Sequence, residues 1–308
     1  MTDLLRSPSG VARADVQELR PMAARRTIAG HVRELLSYRE LLTMLTRKEL
    51  TVRYKHSALG FTWSMIQPLF LLVVYSVVFA ILGAGFADFG IWVLCGLLVW
   101  TLISTSLIMA TQSITTNASL VGKVRFPRAV LPLASVGGAL VHFCLQAVAF
   151  AVVLLVARHP VAWSHLWLLP FALATCVIVC SALAILLAPL NVYARDTMHL
   201  LELVVLGWFW VTPILYQFER AGSWFDRQGI GEWVLLVNPA TPIVITFQRA
   251  IYGSAGAAGD PQPLPLLPDE GPLWYLGMLA ITAVAWSAIL ALALRLFDRA
   301  DVNLAEAL

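Results

Sequence analysis

The amino-acid sequence predicts an all-α integral membrane protein with six transmembrane helices per chain, an N-terminal amphipathic interface helix, and a re-entrant outer helical pair between spans five and six. The first observation is composition: 59% of the 308 residues are hydrophobic and 13% are charged, and the mean hydropathy is +0.79. Soluble domains carry about a quarter charged residues. The second observation is a series of uncharged stretches near the roughly 20 helical residues that cross a bilayer core.

The uncharged stretches define the predicted spans. Five contain no Asp, Glu, Lys or Arg, and they cover 61–83, 91–112, 130–157, 166–190 and 273–294. Another stretch, 198–218, contains Glu202 near one end, where its carboxylate can reach the membrane interface. It is predicted to be span five. With a cytoplasmic N-terminus, six spans place both termini and most of the 21 Lys and Arg residues inside, as the positive-inside rule favours.

Two elements precede the first span. Residues 1–34 are polar and Arg-rich without helical periodicity, which predicts a flexible cytoplasmic arm. The spacing of Ser37 and Glu40 predicts a capping box, and apolar residues recur at helical spacing after it. We predict an amphipathic interface helix over 35–57. Such a helix can simply rest on lipid, or it can also form a collar against a cytoplasmic partner.

A basic cytoplasmic loop, 115–129, follows span two. Asn117 can cap a short helix that ends near Gly122. Leu120 and Val121 in that helix would be exposed to water unless they docked into a partner. An ordinary basic connector is the alternative interpretation.

The outer connection between spans five and six, 219–271, is long and contains the apolar segment "WVLLVNPATPIVITFQRAIYG". Pro239 and Pro242 interrupt it, and proline removes backbone hydrogen-bond donors from a helix. A non-spanning apolar segment is tolerated in a membrane only where its backbone groups face protein or water. The segment therefore predicts a re-entrant pair of short helices.

Several kinds of chemistry are not indicated by the sequence. "SLVGKVRF" contains Gly122 and Lys123 but lacks the remaining residues of a phosphate-binding loop. The His residues show no metal-ligand spacing, and the spans carry few of the ionisable groups that ion-driven transporters use. We predict no metal, no cofactor in this chain and no nucleic-acid partner. If the chain is part of a pump, another chain must hydrolyse ATP.

Five ordered motifs carry a resemblance to a known family. The sequence "RYKHSALGFTWSMIQPL" resembles the junction between interface helix and first span in membrane subunits of ABC-2 type polysaccharide exporters. "GKVRFPRAVLPL", "ARD", "TPILY" and "NPATPIVITFQRAIYG" resemble later parts of the same family. The resemblance covers about residues 35–296. The family often has Phe-Arg where this chain has Phe247, Gln248 and Arg249.

The resemblance implies a function. The family exports O-antigen, capsule, teichoic acid and mycobacterial galactan, so the chain would be the channel-forming subunit for a polyprenyl-diphosphate-linked polysaccharide, with galactan among the candidates. It would be a homodimer in the bacterial cytoplasmic membrane, bound to membrane lipid and to two ABC ATPase subunits that hold ATP and Mg, and would not itself be an enzyme. Two alternatives are an ABC-2 exporter of a small drug or lipid, and a membrane enzyme acting on polyprenyl-linked sugars. The outer acidic residues look too dispersed in sequence for the enzyme.

The resemblance also assigns domains and site residues. Residues 58–296 would be the six-span domain and 297–308 a cytoplasmic tail. The ATPase would contact Arg47, Lys48, Arg53 and Lys55 in the collar helix, Asn117, Ser119, Leu120, Val121 and Gly122 in the coupling loop, and Arg195 and Asp196 in a turn that is equally compatible with plain solvation. The aromatic residues that would face the sugar are Trp63, Tyr75, Trp208, Trp210 and Tyr216, each of which is also typical of an interface belt. The outer gate would comprise Asn238, Pro239, Pro242, Phe247 and Arg249.

Overall fold

The structure is a computed structural model, and it describes residues 30, 33–34, 37–54, 63–81, 88–124, 126–253 and 266–304. Within these residues every regular element is a helix, which confirms the predicted all-α class. Most of the predicted N-terminal arm, Lys55 and the last four residues lie outside the described residues.

The described ranges contain twelve helices that we number in chain order. They are α1 (Arg39–Tyr54), α2 (Trp63–Ile81), α3 (Phe89–Thr116), α4 (Ala118–Val121), α5 (Val130–Ala157), α6 (Trp163–Leu166), α7 (Leu169–Tyr193), α8 (Asp196–Val211), α9 (Phe218–Arg227), α10 (Trp233–Val237), α11 (Ala240–Ile251) and α12 (Pro272–Leu304).

Four helical segments of the described chain are long and apolar enough to cross a membrane. They are Phe89–Thr116, Val130–Ala157, Trp163–Tyr193 and Pro272–Asp301, which correspond to predicted spans two, three, four and six. α2 has 19 residues and α8 has 16, over predicted spans one and five. At 1.5 Å per residue, α8 is about 24 Å long, less than the roughly 30 Å bilayer core. The full count of six therefore stays a prediction.

α8 ends earlier than its hydropathy suggests, at Val211 instead of near residue 218. Thr212 has an extended conformation, with ψ 132°, because the proline that follows it disfavours the helical region. The chain then turns and presses on α3, where a Cβ on Gly96 would lie 2.7 Å from Ile214 Cγ2. The absence of a side chain at Gly96 is what lets this turn approach α3 so closely.

α3 is the central helix of the bundle. It packs against α2, α5, α7, α8 and α11, while α12 packs mainly along α7. In the most apolar stretch of α3, 72% of the residues are buried within the chain, and in that of α12 the share is 17%. Large apolar side chains remain exposed on α2, α5, α8 and α12. In a membrane such faces contact lipid or neighbouring protein.

The bundle has two different ends. The α1 end carries α1, α4, the α7–α8 turn and the last turns of α12, whose apolar side chains form one cluster with Leu45, Val121 and Phe297. The opposite end, the α11 end, carries α6 and α9–α11. α12 continues as helix to Leu304, well beyond the predicted end of span six, because Phe297 and Leu304 are buried in the cluster at the α1 end.

Candidate functional site

Two predicted partner-contact elements, α1 and the α4 loop, are joined directly. Lys48 Nζ donates a hydrogen bond to Asn117 Oδ1 at 2.7 Å, and Asn117 Nδ2 donates to the Ser113 carbonyl oxygen at 2.8 Å. Asn117 precedes α4 as predicted, but its side chain makes no capping hydrogen bond to it. Because Asn117 is only 5% exposed, its side chain serves the contact with α1 and α3 instead of a free surface.

α1 also rests on α5. Thr46 Oγ1 donates to the Ala134 carbonyl oxygen at 3.3 Å, and Ser135 Oγ donates to Glu49 Oε1 at 3.4 Å. A Cβ on Gly137 would lie 3.0 Å from Thr46 Oγ1, so the glycine permits this approach. The predicted apolar face of α1 is thus covered by its own chain and not by lipid alone. Ser37 Oγ donates backward to the Glu34 carbonyl oxygen instead of capping α1.

Leu120 and Val121 are not fully exposed to water, contrary to the expectation from the sequence. Val121 is 5% exposed, and Leu120 is half-buried against the same apolar cluster at the α1 end. The chain itself therefore covers Val121 and part of Leu120. The exposed residues among those that the structure describes in this loop include Ser119, Gly122 and Lys123, together with Val124, which is 51% exposed.

The other predicted partner-contact residues at the α1 end are exposed. Arg47, Arg195 and Asp196 all face solvent, whereas Arg53 lies in α1. The last turns of α12 tie the neighbouring loops together: Arg128 forms a 3.0 Å ion pair with Asp301. Tyr193 Oη likewise donates to the Ala300 carbonyl oxygen at 3.0 Å. The α1 end is therefore a connected surface with several exposed basic groups.

An aromatic cluster lies where α2, α3 and α8 meet, and it contains three of the five predicted channel residues. Tyr75 stacks on Phe209 at 6.2 Å between ring centroids, and Trp208 meets Trp100 edge to face at 5.8 Å. Phe209 also contacts Trp100 at 5.6 Å and Trp210 at 5.5 Å. Sequence reasoning missed Trp100 and Phe209, because each is an apolar residue within an apolar run.

The remaining two predicted channel residues lie elsewhere. Trp63 is exposed at the start of α2, about three turns before Tyr75. Tyr216 lies in the turn after α8, and its hydroxyl donates to the Val211 carbonyl oxygen at 3.0 Å. The structure does not bring either residue into the aromatic cluster.

The turn between α10 and α11 is bound to the end of α8 through Asn238. Trp208 Nε1 donates to Asn238 Oδ1 at 2.7 Å, and the Ala240 amide donates to the same oxygen at 3.0 Å. Asn238 Nδ2 donates to Thr212 Oγ1 at 3.0 Å. Thr212 Oγ1 in turn donates to the Trp208 carbonyl oxygen at 2.9 Å. A predicted channel residue and a predicted gate residue therefore share one hydrogen-bond network.

The two short helices around this turn differ in burial. Every residue of α11 is buried, and α11 packs against α3, α6 and α7. Pro239 and Pro242 stand before α11 and in its first turn, where proline is tolerated. α10, in contrast, exposes Trp233 and Val237. Of the pair predicted as an outer gate, α11 belongs to the core and α10 to the surface.

The last two predicted gate residues are core residues of α11. Phe247 packs edge to face on Phe143 at 6.0 Å. Arg249 Nη2 donates to Asp269 Oδ1 at 3.2 Å, and its side chain is 8% exposed. Neither is placed on an exposed face of the chain, because α11 is enclosed by longer helices on several sides.

Three outer carboxylates that look dispersed in the sequence are brought together. The Glu232 amide donates to Asp226 Oδ1 at 3.0 Å. Burial, and then the charges of Glu232 and Asp226, raise the pKa of Glu219 above its ordinary value. The sequence does not reveal this group, because it forms only when the loop after α9 folds back on the helix, where a Cβ on Gly222 would lie 3.1 Å from Glu232 Cβ.

Comparison with known proteins gives a consistent set of matches. The model of the family described as ABC-2 type transporter matches residues 40–252, from α1 through α11. The O-antigen export system permease protein RfbA of Myxococcus xanthus is 30% identical over 258 residues, which are 83% of this chain and 93% of that protein. The protein of the same name from Klebsiella pneumoniae is 28% identical over 210 residues, or 68% of this chain and 79% of that protein. A second Klebsiella pneumoniae protein of this name is 28% identical over 212 residues, with the same two coverages.

Proposed function

The chain belongs to the ABC-2 type transporter family, and from this premise we propose that it is the membrane subunit of an ATP-driven polysaccharide exporter. Its substrate would be a polyprenyl-diphosphate-linked glycan, with galactan as one candidate. A separate ABC ATPase subunit would bind ATP and Mg and supply the energy. The relatives named as O-antigen permeases match most of the chain, which supports a polysaccharide over a small drug or lipid.

The observation that carries the proposal is the aromatic cluster of α2, α3 and α8. A pyranose ring presents apolar C–H faces that pack on flat aromatic rings, and such contacts let a sugar chain slide because they need no fixed hydrogen bonds. Trp210, which is 57% exposed, extends the cluster to the outside of the bundle. A small-molecule exporter has no comparable need for such a cluster of rings.

The placement of α3 supports a channel between two copies of the chain. Because α3 fills the centre of the bundle, a sugar-wide path would run along an outer face. The exposed apolar face of α8, including Leu203, Val204 and Trp210, is such a face. Two copies related by a two-fold axis would present this face to each other, and the homodimer is part of the proposal.

The proposed orientation places the α1 end in the cytoplasm. Arg47, Lys48, Lys123 and Arg195 are exposed there, and basic residues favour the cytoplasmic side. α2 and α8 would complete six spans, with the turn after α8 reaching the outer interface. α10 and α11 would be the re-entrant pair, and both termini would be cytoplasmic in the bacterial cytoplasmic membrane.

Gene deletion in the native host tests the proposal. We expect the deletion strain to lose surface polysaccharide and to accumulate lipid-linked glycan of unchanged sugar composition, measured by mass spectrometry of the lipid extract. A glycan of altered composition would indicate a membrane enzyme instead. Unchanged surface polysaccharide with increased drug sensitivity would indicate a drug exporter.

A biochemical experiment tests the division of labour. The purified chain alone is expected to hydrolyse no ATP, and the complex with its ATPase subunit is expected to hydrolyse it. A mock purification from cells that lack the chain controls for contaminating ATPases. Hydrolysis by the chain alone, above that control, would refute the proposed role as a transport subunit.

A further inference from the structure

Asn238 lies between the fully buried helix α11 and a ring of the aromatic cluster. On one side its carbonyl oxygen accepts the Thr241 amide at 3.0 Å and its side-chain oxygen accepts the Ala240 amide. These bonds attach it to the first turn of α11, which is wholly buried. On the other side, the same side-chain oxygen accepts Trp208 Nε1 at 2.7 Å. Asn238 therefore links the Trp208 indole to the core helix α11 by hydrogen bonds.

Trp208 packs against the buried apolar core of the bundle, and two directional contacts bear on the orientation of its ring. One is the edge-to-face contact with Trp100, at an interplanar angle of 89°. Such a contact by itself does not fix the ring, because the rotation about the ring-bearing bond of a tryptophan is broad. The second contact is the hydrogen bond to Asn238, which a half-buried indole N–H needs in any case. Together the two contacts hold one ring orientation.

Thr212 supports the same arrangement from the end of α8. Its hydroxyl accepts Asn238 Nδ2 and donates to the Trp208 carbonyl oxygen, and Thr212 is buried. Three of the four hydrogen-bonding positions of the Asn238 amide are thereby occupied, two by residues at the end of α8 and one by the start of α11. An aspartate or a glutamine cannot reproduce this set of bonds, because one lacks the donor and the other is longer.

We propose that Asn238 is a positioning residue for the exported glycan: it holds the Trp208 indole in the orientation in which its face packs on a sugar ring. This inference rests on the proposed polysaccharide export and deepens it. Asn238 acts through Trp208 and does not itself contact the glycan. The α10–α11 turn and the aromatic cluster then form one unit, although α9 and α10 lie between Trp208 and Asn238 in the sequence.

A double-mutant cycle tests the inference in the native host. The probe is surface carbohydrate, oxidised with periodate and labelled on intact cells with a hydrazide dye, normalised to the amount of ATPase-bound complex. Trp208→Phe removes the indole N–H donor, and Asn238→Ala removes its acceptor. Each is expected to lower the export rate about fivefold, the effect of one ordinary hydrogen bond. The double variant is expected to be no worse than either single variant.

Trp210→Phe is the matched control, because Trp210 belongs to the same cluster and contacts Phe209. Its effect should multiply with that of Asn238→Ala. A second readout separates positioning from folding. In Trp208→Phe the apparent KM for ATP should stay at the wild-type value while maximal export falls, and the complex should unfold no more than a few degrees below the Trp210→Phe control.

Three outcomes overturn the inference. Wild-type export in Trp208→Phe would show that the indole hydrogen bond has no role in transport. Multiplicative effects of Trp208→Phe and Asn238→Ala would show that the two residues act separately. Equal surface carbohydrate in wild-type and deletion strains would refute the proposed function and, with it, this inference. If Asn238→Ala does not assemble, Trp208→Phe alone still decides the first outcome.

Discussion

Breaking the bond between α1 and the α4 loop should weaken the attachment of the ATPase subunit. The bond joins Lys48 Nζ to Asn117 Oδ1 at 2.7 Å. If both elements contact the ATPase, this bond holds them in one relative position before binding. Lys48→Met removes the donor and keeps an unbranched apolar stem. Asn117→Leu removes the acceptor with little change in shape.

The expected loss of ATPase binding depends on how buried Lys48 and Asn117 are. A hydrogen bond to a charged group contributes about 1.5–3 kcal/mol, but Lys48 is exposed, so water screens it to about 0.5–1 kcal/mol. Lys48→Met should therefore weaken ATPase binding about two- to fivefold. Asn117 is buried and also bonds the Ser113 carbonyl oxygen. Its loss should cost about 1–2 kcal/mol, roughly five- to thirtyfold.

The measurement is the dissociation constant between the chain in lipid nanodiscs and the purified ATPase subunit. The Lys48→Met, Asn117→Leu double variant should bind about as well as Asn117→Leu alone, because the second change removes a bond that is already lost. Arg47→Met is the matched control. It removes the same charge from an exposed neighbour on α1, and its effect should add to that of Asn117→Leu.

Additivity of Lys48→Met with Asn117→Leu would refute the reasoning. It would mean that Lys48 contacts the ATPase directly and that α1 and the α4 loop bind it independently. Arg47→Met should be additive with Asn117→Leu. If the two were as non-additive as Lys48→Met and Asn117→Leu, the non-additivity would not come from the Lys48–Asn117 bond.

Three further predictions follow from the structure. In a cysteine-free background, single cysteines that replace Glu232 or Asp269, both exposed, should react with an impermeant thiol reagent added outside intact cells. A cysteine that replaces Lys123 should not react. Protection of the cysteine at position 269 alone would mean that the segment between 232 and 269 crosses the membrane. Val124→Asp, at an exposed site, should lower co-purification of the ATPase without changing the unfolding temperature, and wild-type recovery would exclude a contact there. Because burial raises the pKa of Glu219, its carboxylate destabilises the fold increasingly as pH rises through the raised pKa. Glu219→Gln should therefore unfold at a higher temperature than wild type at pH 8 and at the same temperature near pH 4; the reverse trend would contradict the shift.

The bounds of single helices could largely be predicted from the sequence, because they depend on residues that are neighbours in the chain. The third predicted span, 130–157, coincides with α5, since an uncharged run of that length has few alternatives in a membrane. The break at Asn238 and Pro239 was likewise predicted from proline chemistry. The end of α8 was placed too late, because hydropathy continues past Val211 while Pro213 acts on the conformation of the residue before it.

The tertiary structure alone decided which of these elements meet. From the sequence, Val121 is expected to be exposed in a basic loop, but it is buried in the apolar cluster at the α1 end, which joins residues distant in sequence. The Lys48–Asn117 and Trp208–Asn238 bonds join residues 69 and 30 positions apart. Composition and periodicity report the burial of a helix face but not the identity of the helix that packs on it. Partner choice depends on close packing between side chains that are distant in sequence, and that information exists only once the bundle has formed.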